Sequence, residues 1–413
     1  MQRTTAPLDL AGVETVLQPY DRALTLPGEA YGSPEVFAWE QCHLFEGSWM
    51  CIGRGADLGL TGAGAQAAIQ VGTQSFLLVR GDDGELRAFH NVCRHRGHEL
   101  VPVGEQRTQR GIKCPYHAWV YGLEGDLRAT PRFNMDSLDK SDFPLVQARL
   151  ATWHDWLFLN ASGDAPELAT QLGNLDIVVD GYRPEDLRLG ATHTYQLRSN
   201  WKIAIENYCE CYHCSEIHPE LCKVTPPDSN IAYEERSTGV WLGGPMELLD
   251  HAVTMSLTGA STGTMIPGLP EGKRRIVGYS VVYPNLLISP HPDYVLTHRL
   301  EALDVDRTFI ECEWLFPPET VERPGFDPAY AVEFWDITNR EDWHACESLQ
   351  RGVTSRGHRP GPLSVAWEAG TYMFVGMLAR GYLEGRVSRA LRPGGAEVPR
   401  YETLASARGG RGA

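Results

Sequence analysis

Residues 93–117 read CRHRGHELVPVGEQRTQRGIKCPYH. Cys93-Arg94-His95 opens the stretch and Cys114-Pro115-Tyr116-His117 closes it, with eighteen residues between. Each end therefore carries one thiol and one imidazole. QSFLLVR (74–80), the turn Gly81-Asp82-Asp83-Gly84 and ELRAFHNV (85–92) form a hairpin leading into the first pair. HAWVYG (117–122), a turn at Leu123 to Gly125 and DLRA form another leading out of the second. The two pairs thus stand at the tips of neighbouring hairpins in an all-β module running from Trp49 to about Ala161, closed by WHDWLFLN (153–160) as a strand.

A structural zinc site can use two Cys and two His, but zinc fingers keep the cysteines in one knuckle and the histidines in the other. Mixed knuckles suit a two-iron, two-sulfide centre. Each loop gives its thiolate to one iron and its imidazole to the other, which is the Rieske arrangement. Neutral imidazole donors leave less negative charge on the reduced cluster, so its potential rises. Gly97, Gly111 and Pro115 allow tight loops whose backbone N–H groups can point at the sulfurs.

Beyond Ala161 the pattern changes. PELATQLGNLD (166–176) reads as helical, and NWKIAIENYCECYHCSEIH (200–218) as a longer helical run ended by Pro219. Strands return within 231–316, including VGYSVVYPNLLIS (277–289) and TFIECEWLF (308–316). Helices are expected over Asp327 to Arg351 and over 363–385. The fold class is α+β. The net charge of −16 argues against nucleic acid or an anionic membrane as partner. No segment approaches the roughly 20 apolar residues of a membrane span, and Thr371 to Leu378 is closed by Arg380. The N-terminus lacks a signal-peptide core, so a cytoplasmic location is expected. In that reducing setting the ten cysteines should be thiols or metal ligands, not disulfides.

The helical run holds a second constellation: Glu206, Asn207, Glu210, His213 and His218. His213 and His218 share one metal only if the helix ends or bulges between them, and Pro219 biases His218 out of the α region. Glu210 lies three residues before His213, the spacing of neighbours on a helical face. Two histidines and a carboxylate make the facial triad of non-haem Fe(II) enzymes. The acid must come from elsewhere; Glu333, Asp336, Glu341 and Asp342 are all available, and spacing does not choose among them. Cys209, Cys211, Cys214 and Cys222 interleave with the histidines and offer a zinc site as the alternative.

With both constellations in view, residues 45–390 resemble the α subunit of the Rieske non-haem iron ring-hydroxylating oxygenases. The string Glu206 to Cys214 with His218-Pro219, and the segment 291–316, are most similar to the quaternary-ammonium branch that includes glycine betaine monooxygenase. The resemblance implies a [2Fe-2S] cluster on Cys93, His95, Cys114 and His117, and Fe(2+) on His213, His218 and Asp342, with Asn207 near the iron. It implies a Rieske domain over 45–161 and a helix-grip catalytic domain with an antiparallel sheet over 162–391. The N-terminal segment 1–44 should pack on the catalytic domain, and 392–413 reads as a disordered tail. It also implies a homotrimer in which Glu210 bridges His213 and the His117 of a neighbouring subunit.

One atom of dioxygen would enter a C–H bond of a small-molecule substrate and the other would leave as water. Oxidative N-demethylation of a quaternary ammonium compound would release formaldehyde. Trp241, Tyr279, Tyr283 and Tyr294 are candidates for an aromatic cage around the cation. No flavin or nicotinamide module is legible, so electrons must come from a separate NAD(P)H-dependent flavin/iron-sulfur reductase. An aromatic-ring hydroxylase is the runner-up. A Rieske electron carrier is the rival of another class, and it would leave 200–218 and 341–342 without a purpose.

Overall fold

The computed structural model describes residues 4–133, 137–229, 237–387 and 389, so the expected disordered tail lies outside the described residues. The chain divides into two units, one of residues 40–168 and one joining residues 4–39 to the chain from Ala169 onward. Both are built on antiparallel sheets, and the whole is α+β as expected.

In the first unit, seven antiparallel strands run in the order Met50–Arg54, Trp156–Asn160, Gln147–Trp153, Leu86–His90, Gln74–Arg80, Ala65–Val71, Gln106–Thr108. A three-stranded sheet follows from Ile112–Lys113, Val120–Tyr121 and Leu127–Ala129. Leu77, Phe89, Leu100, Trp119 and Tyr121 pack into one core together with Cys93 and Cys114. Gly125 sits at φ +89°, and a Cβ there would lie 2.5 Å from the Phe89 ring, so this turn accepts glycine alone. The segment 153–160 differs from the single strand expected. His154 (φ 45°) and Asp155 (φ 71°) form a two-residue turn, and Trp153 pairs with Trp156 across it. Two left-handed residues in succession match the twist of a tight hairpin, which no glycine in the sequence announces.

In the second unit the six-stranded sheet runs Arg188–Leu197, Arg307–Phe316, Val295–Asp304, Leu286–Pro290, Ile276–Val282, Trp241–Glu247, antiparallel throughout. The long helix Ala329–Val353 lies on one face. Its Trp335, Asn339, Asp342 and Cys346, in steps of four, three and four, form one stripe. Asn339 reaches His298, Tyr195 and Cys312 of the sheet, and Cys346 reaches the Ile203 carbonyl. The N-terminal residues join this unit: Ala6 N–H bonds to Tyr382 O, Tyr20 Oη to Ser364 O, and Tyr20 stacks on Tyr372.

The expected helix over 200–218 is three short ones: Trp201–Tyr208, Cys214–Ile217 and Pro219–Cys222. Asn200 caps the first by accepting from Lys202 N–H at 3.1 Å, an interaction worth about 1 kcal/mol. Trp201, Ile203, Ala204 and Ile205 are fully buried, and Trp201→Ala would cost about 3–5 kcal/mol. The helix stops because the Glu210 carboxylate takes the N–H groups of Tyr212 and His213 that a continuing helix would send to its own carbonyls. Pro219 does not end the run but opens its last turn, a position where its missing N–H costs nothing.

Candidate metal centres

His213 and His218 flank the one-turn helix Cys214–Ile217 as its two caps. His218 has φ −119° and ψ 67°, outside the α region, as Pro219 requires. The break lets two imidazoles five residues apart turn to the same side, with ring centroids 5.1 Å apart. The long helix supplies Asp342 from across. Its Oδ1 lies 2.9 Å from His218 Nε2 and 3.3 Å from His213 Nε2. Among the described residues this is the one group of three or more whose donor atoms converge within 4.8 Å of one another. Of the other acids, Glu341 stands behind His218, Asp336 bonds Tyr195 and Arg340, and Glu333 is exposed.

The outer nitrogens explain how the rings are aimed. His213 Nδ1 is 2.6 Å from Glu210 Oε1, and His218 Nδ1 is 2.8 Å from Glu341 Oε2. A carboxylate only accepts, so Nδ1–H donates to Glu210 and Glu341 in the two rings and both Nε2 atoms are turned inward, where a bound metal would take their lone pairs. Two nitrogens and a carboxylate oxygen then converge, and a positive charge belongs among them; where no metal supplies it, the His213 ring carries it. Burial disfavours a charged His213, yet Asp342 and Glu210 outweigh it and push its pKa up to about 10. Burial likewise opposes ionisation of Asp342, but the two histidines bring it down to about 2. The donor set of two imidazoles and one ionised carboxylate fits a non-haem iron and leaves further coordination positions open.

Glu210 meets His213 through a turn rather than along a helix face. One oxygen holds the ring and the other holds the backbone of Tyr212 and His213. The same turn corrects the expectation of ten unpaired cysteines. Cys211 and Cys214 form a disulfide, because the chain folds back between them and brings their Cα atoms to 4.9 Å, within bridging reach. This pairing takes both thiols out of the alternative zinc set. Asn207 is buried in the last turn of Trp201–Tyr208.

In the first unit Cys93 and Cys114 are buried side by side, and burial together with the adjacent Cys93 raises the pKa of the Cys114 thiol. Tyr121 Oη lies 3.3 Å from Cys93 Sγ and also accepts from Arg94 N–H. His95 and His117 stand outside them, rings 4.8 Å apart, with His95 stacked on Trp119 and His117 exposed. Two buried thiols below two outward imidazoles suit a binuclear centre with an inner and an outer metal, not a single ion.

The four aromatic candidates separate. Tyr279 meets Tyr208 and Trp335 at ring distances of 5.9 and 6.2 Å, and the charge of Asp342 acts on its phenol. Trp241 lies on the opposite face of the sheet, since Gly244, three residues on, is the partner of Tyr279. Tyr283 packs against Trp201 and Phe374. Tyr294 stacks on His291 and accepts from Trp335 Nε1, one layer behind that ring. Tyr208, Trp335, His298 and Glu341 join this neighbourhood without having been singled out as its lining. Only the steps of three and four along 335–346 hinted at Trp335.

Residues 48–143 match the Rieske [2Fe-2S] domain, and residues 184–384 match the ring hydroxylating alpha subunit (catalytic domain). The glycine betaine monooxygenase oxygenase subunit of Pseudomonas aeruginosa (strain UCBPP-PA14) is 28% identical over 392 residues, covering 87% of this chain and 89% of that one. The carnitine monooxygenase oxygenase subunit of Acinetobacter pittii is 34% identical over 349 residues, covering 82% and 88%. Among solved structures, the quaternary ammonium Rieske monooxygenase CntA superposes with a TM-score of 0.74 at 24% identity, covering 92% of this chain and 99% of that one.

Proposed function

Since this chain belongs to the family of Rieske non-haem iron oxygenase α subunits, we propose that it is the oxygenase component that removes a methyl group, as formaldehyde, from a small quaternary ammonium compound such as glycine betaine. Members of the family carry a [2Fe-2S] cluster and a mononuclear iron. In this chain Cys93, His95, Cys114 and His117 would hold the cluster, and His213, His218 and Asp342 the iron. When bound, the iron supplies dioxygen activation and the cluster supplies electrons.

The protein's part is to bind, orient and insulate. Glu210 and Glu341 fix both imidazoles with Nε2 inward. Tyr208, Tyr279 and Trp335 offer aromatic faces to a cation, each worth about 0.5–2 kcal/mol when desolvated. The observation that carries the substrate reading is that this layer is uncharged as well as aromatic. Burial lowers the pKa of His298 to about 4 and of His291 to about 3, so both are neutral. Arg299 points to the other face of the sheet, paired with Glu311. Among the described residues, these two imidazoles and Arg299 thus present no like charge to a positive ligand in this layer.

One methyl C–H becomes C–OH with one oxygen atom, and the other atom takes two electrons and two protons to form water. The resulting N-hydroxymethyl ammonium then loses a proton and breaks its C–N bond, giving formaldehyde and the tertiary amine. Electrons are supplied by a separate NAD(P)H-dependent flavin/iron-sulfur reductase. A cytoplasmic homotrimer is the proposed working form, and among the described residues no helix is long and apolar enough to cross a membrane.

With a reductase supplied, formaldehyde should accumulate with betaine-type compounds and no dihydrodiol or phenol should form from arenes. The reverse outcome would make the protein an aromatic-ring hydroxylase. The cluster assignment has its own test. His95→Cys or His117→Cys should lower the reduction potential, because a thiolate adds negative charge to the outer iron. An unchanged potential and spectrum would reject these ligands.

A further inference from the structure

We propose that His298 positions the substrate through the lone pair of its Nδ1, and that the substrate carries a hydroxyl group on the chain attached to its ammonium nitrogen. This rests on the ammonium reading above but moves its example from glycine betaine, which at neutral pH has no O–H or N–H to offer, to a hydroxylated quaternary ammonium.

His298 sits in the strand Val295–Asp304, opposite Leu287 on one side and Cys312 on the other. Its Nε2 lies 3.2 Å from Asn339 Oδ1, while Asn339 Nδ2 is turned to Tyr195 Oη and Cys312 Sγ. An amide oxygen cannot donate, so the partners assign the ring proton to Nε2. Burial keeps the ring neutral. Nδ1 is therefore a bare acceptor, and it has no hydrogen-bond partner among the described residues although His298 is only 2% exposed. Buried acceptors are rarely left unmatched without a functional reason.

The surroundings say which ligand would match it. Tyr208 and Trp335 lie 6.1 and 6.3 Å from the imidazole, centre to centre. Asn339 is one helical turn before Asp342, whose charge reaches His298. The imidazole is thus set among the rings proposed to hold the ammonium, and the charge of the proposed iron ligand Asp342 reaches it. A carboxylate oxygen would meet lone pair with lone pair, and a quaternary nitrogen has no hydrogen to give. A hydroxyl can donate. His291 presents a second unpartnered nitrogen, Nε2, with Nδ1–H donating to Ser289 O, but its ring is stacked 4.0 Å over Tyr294, behind Trp335.

The test is calorimetric binding to the anaerobic holoenzyme of two pairs differing only by the hydroxyl: L-carnitine with γ-butyrobetaine, and choline with ethyltrimethylammonium. The hydroxylated member of at least one pair should bind about tenfold more tightly, the size of one buried hydrogen bond. His298→Phe should abolish that preference while keeping affinity for the deoxy member. His298→Asn, whose amide oxygen can occupy the place of Nδ1, should restore it. Equal affinity within both pairs in the wild-type enzyme overturns the proposal but leaves the ammonium reading standing. Equal weakening of both members by His298→Phe also overturns it, since the residue would then only pack. Binding of none of the four compounds, with no formaldehyde formed, would sink the ammonium reading as well.

Discussion

Asp342→Ala is expected to abolish turnover, by well over a hundredfold, while the visible spectrum of the cluster stays as in the wild type. Asp342 brings one oxygen to both imidazole Nε2 atoms and is the acid that converges with them. Without it two neutral ligands remain, too few and too uncharged to hold a divalent iron firmly. Total iron should fall by one per chain with acid-labile sulfide unchanged. Neighbouring acids set the scale. Glu341→Gln removes the carboxylate behind His218 Nδ1 and should cost about 10–100-fold, the usual range for a partner of a metal-bound histidine. Asp336→Ala should be milder still, because that carboxylate serves Tyr195 and Arg340 and touches neither His213 nor His218 in the structure. Equal losses in the Asp342 and Asp336 variants, with the mononuclear iron retained in Asp342→Ala, would show that another acid completes the site.

The sequence announced the two halves of the chemistry unequally, and the reasons are physical. Cys93/His95 and Cys114/His117 are each local, two or three residues apart on a hairpin tip, so their pairing needs only turn signals. Asp342 is remote from His213, and its helix carries acids at 333, 336, 341 and 342. Choosing among those requires the rotational phase of the helix against the sheet, which is a tertiary quantity. The stripe at 335, 339, 342 and 346 can be spaced out in the sequence, but which way it faces is fixed only where Asn339 docks on His298. The aromatic residues pose the same difficulty in a strand. Trp241 and Tyr279 look alike in the sequence, yet pairing Gly244 with Tyr279 sends Trp241 to the opposite face. The break after Tyr208 was the least legible. Nothing in YCECYH is a strong helix breaker, and the run ends because Glu210 competes for backbone N–H groups and Cys211 closes on Cys214.

Glu210→Gln is expected to keep both metal centres yet slow oxidation of the reduced cluster more than about tenfold, as for other groups that hold a metal-bound histidine. The side chain uses both oxygens as acceptors: Oε1 takes His213 Nδ1–H at 2.6 Å, and Oε2 takes the N–H groups of Tyr212 and His213. A glutamine has only one accepting end. If its NH2 faces the backbone, two N–H donors confront it and the turn that starts the short helix loosens. If it faces His213, Nδ1–H meets another donor, and the ring loses the partner that aims it. Neither orientation keeps the imidazole as it stands. In the proposed trimer the same carboxylate would also receive the outer N–H of His117 from a neighbouring subunit, through a lone pair that His213 and the backbone do not use. The amide would weaken that link too. Rapid mixing of reduced enzyme with substrate and dioxygen, following cluster absorbance over a single turnover, measures the rate directly. Glu210→Ala is a useful companion, because it removes both acceptors and should be at least as slow. Sedimentation and metal analysis of both variants would separate this effect from loss of assembly. A wild-type rate in Glu210→Gln would mean that electrons reach His213 by another route, and Glu210 would then be left with only the turn and the His213 ring to hold.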